Sequence, residues 1–151
     1  MPDRIYRITA VEKTAKPYEL LVTWEDGVTA AVDVQRYVEQ FKVYASLRGD
    51  GWEDCHPFVG EYGWSAAWVA DEVEMPSSTL RDWWMFQTSQ AMHPKDFQAW
   101  MERHGLTLDA AAAALGVSRR MVAYYKGGKR LIPRTILLAT KGYDVEVSEA
   151  A

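Results

Sequence analysis

Cysteine is nearly absent from this 151-residue chain, where Cys55 stands alone. A single thiol excludes an internal disulfide framework and suits a reducing cytoplasm. The polar run Glu53-Asp54-Cys55-His56 has no partners at the spacing of a zinc site. Adjacent Cys and His on an extended segment project to opposite sides and do not converge, so a nucleophile and base pair is not expected there. His93 and His104 are separated by a helical stretch and are expected to be exposed. Gly-rich phosphate loops, HExxH and GxSxG are missing too. These gaps point away from an enzyme, with no catalytic residue, metal or cofactor expected. Long apolar runs are equally scarce. The longest, 110–115, is far short of the ~20 residues that span a bilayer. The opening Met-Pro-Asp-Arg-Ile-Tyr-Arg carries charge where a signal peptide has an apolar core, so a cytoplasmic location without a membrane is expected.

What is present is globular: 48% hydrophobic and 25% charged residues, enough for one ordinary domain or two small ones. The net charge of −4 argues weakly against nucleic acid, but it averages two unlike halves. Residues 1–92 carry 8 basic and 15 acidic residues, whereas 93–151 carry 9 and 6. Between 103 and 141, Arg103, Arg119, Arg120, Lys126, Lys129, Arg130, Arg134 and Lys141 face Asp109 alone. Such asymmetry suggests two units with different partners, although a solvated basic face would look the same. Six of the seven Trp precede residue 93, and Ala91-Met92-His93-Pro94 marks a boundary because proline restricts His93 and suits a helix start. The expected division is an acidic domain over 1–90, a basic one over 93–145 and a tail over 146–151.

In the first half Leu20, Val22 and Trp24 alternate with Glu19, Leu21 and Thr23, and Glu25-Asp26-Gly27 then precedes 28–32. Asp-Gly between β-rich runs is a hairpin signal. Ile5 to Val11 reads as an earlier strand, Gln35 to Leu47 as one or two short helices, and Gly49-Asp50-Gly51 as a break. Phe58-Val59 and Trp64 to Val73 read as further strands, which would turn Trp64 and Trp68 to the same side. Ser77 or Ser78 is placed to cap a last helix through Trp83, Trp84 and Phe86. The pattern predicts a small antiparallel sheet with short helices. Trp52, Tyr62, Trp64, Trp68, Trp83 and Trp84 are best explained as core, with a protein interface as the other reading of so many aromatics.

Across 4–82, this half resembles a bacterial family of unknown function, number 2442. The likeness rests on Ile8-Thr9-Ala10-Val11, Trp24-Glu25-Asp26-Gly27, Val32-Asp33-Val34, Tyr44-Ala45-Ser46-Leu47-Arg48, Glu61 through Trp68, Met75-Pro76 and Ser78-Thr79-Leu80. It implies a fold and no chemistry.

In the second half, Phe97, Trp100 and Met101 recur at helical spacing over Asp96 to His104, and Gly105 ends the run. Thr107 caps a second helix over 108–115, Gly116-Val117 turns, and Ser118 caps a third over 119–126 before Gly127-Gly128. Two short helices joined by a glycine turn form a helix-turn-helix. The spacing Ala112, Gly116, Val122 puts a small residue where the helices cross, a glycine at the turn and an apolar anchor beneath the second helix. At 100° per residue Leu115, Val122 and Tyr125 face the core, while Arg119, Arg120, Ala123 and Tyr124 face outward.

This run, extended through Ile132-Pro133-Arg134-Thr135 and 136–139, resembles the lambda-repressor and Cro class of DNA-binding domains over about 95–143. The fold expected for the whole is therefore α+β: a small antiparallel-sheet domain followed by an all-α, lambda-repressor-like helix-turn-helix domain. By that resemblance Arg119, Arg120 and Tyr124 contact bases, because an arginine fork reaches guanine O6 and N7 together. Thr107, Lys126, Lys129, Arg130 and Arg134 would hold phosphates and add salt dependence. Tyr124 and Tyr125 could equally pack around Pro133. The acidic end, Asp144 to Glu149, reads as a frayed tail, a pairing strand or a segment that repels DNA. The expected partners are double-stranded DNA, a second copy of the chain as homodimer, and a protein bound by the acidic domain. A transcriptional regulator is the first reading, and an antitoxin-like or adaptor protein the second.

Overall fold

Hydrogen-bonding demand and alternation organise the first part of the chain. The structure, a computed structural model, describes residues 4–69 and 72–150, and the chain divides into two compact units, Met1–Gln87 and Thr88–Ala151. The architecture is α+β, as expected. In the first unit, β1 (Ile8–Lys13), β2 (Glu19–Trp24) and β3 (Thr29–Asp33) form an antiparallel sheet in chain order. Leu20, Val22 and Trp24 are essentially inaccessible, while the intervening positions of β2 are only half-buried, so the period of two holds. The Glu25–Val28 turn uses a left-handed Gly27, and Asp26 is gripped at two points, 3.1 and 2.8 Å, by Arg81. That guanidinium also lies 4.9 Å from the Trp24 ring centre and 5.2 Å from that of Trp84. The Arg81 hydrogen bonds hold the Asp26 carboxyl below its ordinary value.

After β3 come α1 (Gln35–Gln40) and a 3₁₀ turn (Lys42–Leu47). Arg48 closes α1 by donating to the carbonyls of Val38, Glu39 and Phe41. The Gly-Asp-Gly stretch, read as a break, instead opens the short helix α2 (Asp50–Asp54), which buries Trp52. The second sheet comprises β4 (Phe58–Val59), β5 (Ser65–Trp68) and β6 (Val73–Pro76). One strand from Trp64 to Val73 is therefore replaced by two, with Val69 at φ 51 ending β5. Ala70 and Asp71, inside that expected strand, lie outside the described residues, as do 1–3 and 151.

Trp64 and Trp68 do not share a face. A 3₁₀ turn at Glu61–Gly63 leaves Trp64 in a helical conformation, 44% exposed beneath the Arg7 guanidinium, whereas Trp68 is wholly buried. Trp52 and Trp83 are core too, but Tyr62 is 73% exposed, so the aromatic set divides between core and surface. Helix α3 (Ser77–Gln87) begins at Ser77, and its Gln87 amide bonds both the N–H and the C=O of Asp33 on the sheet edge. Gly63 is constrained twice, by φ +78 and by a backbone approach that would put a Cβ 2.6 Å from the Ile8 carbonyl oxygen. Gly63→Ala is expected to destabilise the chain by about 1–3 kcal/mol in denaturant unfolding.

The second unit opens with β7 (Ala91–Met92), which belongs to this unit and not to a linker. It pairs with β8 (Ile132–Pro133), adding a two-stranded ladder to an otherwise helical unit. The helices are α4 (Pro94–Arg103), α5 (Leu108–Leu115), α6 (Arg119–Lys126) and α7 (Arg134–Ala150). Phe97, Trp100, Met101, Ala111, Val122, Tyr125, Ile132 and Leu137 form its core. Residues 146–150 are not a frayed tail but the end of α7. Among the described residues no helix is long and apolar enough to cross a membrane.

Candidate nucleic-acid interface

Three side-chain and glycine devices set the geometry between α5 and α6. Thr107 Oγ1 accepts from the Ala110 amide at 3.1 Å, and Ser118 Oγ accepts from the Met121 amide at 3.1 Å, so each helix begins at its own cap. Gly116 closes α5 at φ 71, a left-handed conformation that would strain a residue carrying a Cβ. Ala112 is buried at the crossing, Val122 is inaccessible and Tyr125 is 7% exposed; Leu115 is half-buried. The opposite side of α6 shows Arg119, Arg120, Ala123 and Lys126 exposed and Tyr124 half-buried. The far end is tied down by Gln98, whose amide donates to the Lys126 carbonyl at 2.6 Å, and by the Lys129 amide, which donates to the Tyr124 carbonyl.

The exposed basic residues are not equally available. Arg120 Nε donates to the Tyr124 hydroxyl at 2.6 Å, with its guanidinium 5.3 Å from that ring. Arg130 approaches the same ring at 5.7 Å. Tyr124 thus gathers two guanidiniums and orients one of them. Arg119 lies 3.6 Å from Asp109, both largely exposed, an ion pair of small worth in water. Arg134 Nη1 donates to the Ser89 carbonyl at 2.8 Å, bracing the turn before β7. Thr107, Lys126 and Lys129 are exposed on the same unit.

A second cluster escaped the sequence reading because its members are 40 residues apart. His104 is not exposed: its side chain retains 15% of its accessible area and its Nε2 lies 2.5 Å from Asp144 Oδ1. Arg103 reaches the other carboxylate oxygen at 3.0 Å, and the His104 ring meets Trp100 and Tyr143 edge-on. His93 caps α4 by accepting from the Lys95 amide through Nδ1. The hydrogen bond from His104, followed by that from Arg103, holds the Asp144 carboxyl below its ordinary value of 3.8. A depressed carboxylate adds stability that is complete above the unfolded value and lost as pH falls through the lower folded one. A carboxyl NMR titration should therefore place the Asp144 midpoint below 3.8. Asp144→Asn should remove that step from the acid unfolding curve, with a loss near neutrality under about 1 kcal/mol because the group is partly exposed. Among the described residues no three metal-ligating side chains gather.

No protein-family model and no curated protein matches the chain. Among solved structures it is similar to one from Nitrosomonas europaea ATCC 19718, "Putative DNA Binding Protein NE0471". The two share 33% sequence identity over 95% of this chain and 90% of that one, with a TM-score of 0.51. The likeness therefore runs through both units.

Proposed function

The chain belongs to the family of the Nitrosomonas europaea NE0471 protein, and from that premise we propose that its second unit binds double-stranded DNA, the chain acting as a transcriptional regulator. In this reading α5 and α6 form a helix-turn-helix with α6 in the major groove. The observation that carries it is the position of Arg119 and Arg120. They occupy the exposed first turn of a Ser118-capped helix whose other side is anchored by the inaccessible Val122. Base contacts fall to Arg119, Arg120 and Tyr124, and phosphate contacts to Thr107, Lys126, Lys129, Arg130 and Arg134. One such unit reaches few bases, so two copies bind two half-sites about 34 Å apart. No catalytic step and no cofactor enter this reading.

A shift assay on a pool of genomic fragments at two salt concentrations tests it. A minority of fragments should be retained saturably, with affinity falling as salt rises. Absence of binding below ~100 mM salt, or sequence-blind binding that never saturates, would overturn the proposal.

One observation favours a second reading, the antitoxin-like or adaptor protein. Tyr62, 73% exposed, and Trp64, 44% exposed, lie two residues apart in the sequence of the first unit, where exposed aromatic side chains suit a protein partner. Substituting both should then release a copurifying protein without changing DNA affinity.

A further inference from the structure

Helix α7 buries one side and leaves the other without a partner among the described residues. Ile136, Leu137 and Thr140 are in the core, and Tyr143 and Asp144 turn inward to His104. At 100° per residue Leu138 and Val145 fall on the opposite side, 49% and 56% exposed. Gly142 sits beside them, and a Cβ there would meet nothing within 4 Å. Arg134, exposed although one of its Nη atoms donates to the Ser89 carbonyl, and the exposed Glu149 continue the stripe at its two ends.

The charges on this helix run against its own dipole. Arg134 opens α7 and Glu149 lies in its last turn, with no acidic residue in the first turn and no basic residue in the last. A helix N-terminus carries partial positive charge, so this order disfavours α7 standing alone. Turned antiparallel against itself, the same order becomes complementary. With a twofold centre between Lys141 and Gly142, Leu138 of one copy faces Val145 of the other. Arg134 of one then faces Glu149 of the other, and the two dipoles oppose. Gly142 permits close approach at the centre, where the Lys141 stem can cover the apolar seam and keep its ammonium in water.

We propose that the exposed side of α7 is where a second copy of this chain docks, as an antiparallel α7–α7 pair centred on Lys141 and Gly142. The inference deepens the two-copy element of the DNA reading and rests on it for the expectation that copies pair at all. A helix of 17 residues, about 25 Å long, offers a small interface, so the association is concentration-dependent.

Sedimentation velocity of the full chain without DNA over a concentration series tests the surface. A failed dimer is then distinct from failed DNA binding, which the shift assay reports by itself. The wild-type chain should move toward twice its monomer mass as concentration rises. Leu138→Glu with Val145→Glu should stay monomeric, with circular dichroism unchanged because both positions are exposed. Arg134→Glu and Glu149→Arg should each weaken association about tenfold by placing like charges opposite one another, and the two combined should restore it. A wild-type chain monomeric throughout would overturn the proposal. So would a dimer indifferent to Leu138 and Val145, or a charge exchange that fails to restore association.

Discussion

Trp100→Ala is expected to destabilise the second unit by about 3–5 kcal/mol while leaving the first folded. Trp100 is 1% exposed and packs against Phe97, His104 and Tyr143, with ring centres 5.5–6.0 Å away. Truncating a buried tryptophan costs about 3–5 kcal/mol through lost transfer energy and the cavity left behind. At ~0.05–0.15 kcal/mol per residue, a unit spanning 88–151 holds only roughly 3–10 kcal/mol. The substitution therefore removes between about a third and all of it. One effect opposes the loss: the Trp100 indole N–H is buried without a hydrogen-bond partner among the described residues, and deleting it returns about 1 kcal/mol or more. Trp100→Phe isolates this effect, keeping most of the ring while discarding the orphaned donor, and should cost far less than alanine. Thermal melts followed by far-ultraviolet circular dichroism check both variants. The alanine variant should lose helical signal at a much lower temperature than the wild type, while over that transition the six remaining tryptophans, all in the first unit, keep their native emission. Coincident loss of both signals would mean that the units do not unfold separately.

The legible parts of this molecule are those whose cause is local. Thr107, Gly116 and Ser118 act within four residues of themselves, so the bounds of α5 and α6 followed from sequence and agree with the structure. The same holds for β2, where the alternation of Leu20, Val22 and Trp24 is its own evidence. What failed depended on distant partners or unusual backbone. Nothing in Val145-Glu146-Val147 says helix, because alternation there mimics a strand; α7 continues because its earlier turns are anchored in the core and Asp144 is tied to α4. The two-strand division around Val69 hinges on a β-branched residue at positive φ, a conformation that sequence preference disfavours. Likewise β7 exists only because β8, 40 residues later, returns beside it.

The candidate interface divides along the same line. Which side of α6 faces outward follows from a 100° phase, and Arg119 and Arg120 lie where that phase put them. Their company does not follow. Asp109 comes from the preceding helix, and Arg130 from the loop beyond, so the ion pair and the shared Tyr124 ring needed coordinates. These contacts convert a row of like charges into residues with separate roles. Arg120 is held by an aromatic ring and a hydroxyl, whereas Arg119 is shared with a carboxylate.

That difference gives Arg119→Ala with Arg120→Ala its expected result. If each arginine supplies a bidentate guanine contact worth about 1–3 kcal/mol of discrimination, removing both should cost roughly 2–6 kcal/mol for the preferred site and leave non-specific binding weakened but present. Both side chains are exposed, so the fold should be untouched, and an unchanged melting curve is the control. Titration of a selected fragment against a scrambled one, at fixed salt, reads the ratio directly. Asp109→Asn should move the other way. It removes the carboxylate paired with Arg119, frees that guanidinium and lifts a repulsion from incoming phosphate, so affinity for both fragments should rise. Opposite signs from two neighbouring substitutions would locate DNA at this face of α5 and α6, since a remote basic patch would respond to neither. A double arginine variant that keeps its site preference would place the reading elsewhere on the chain.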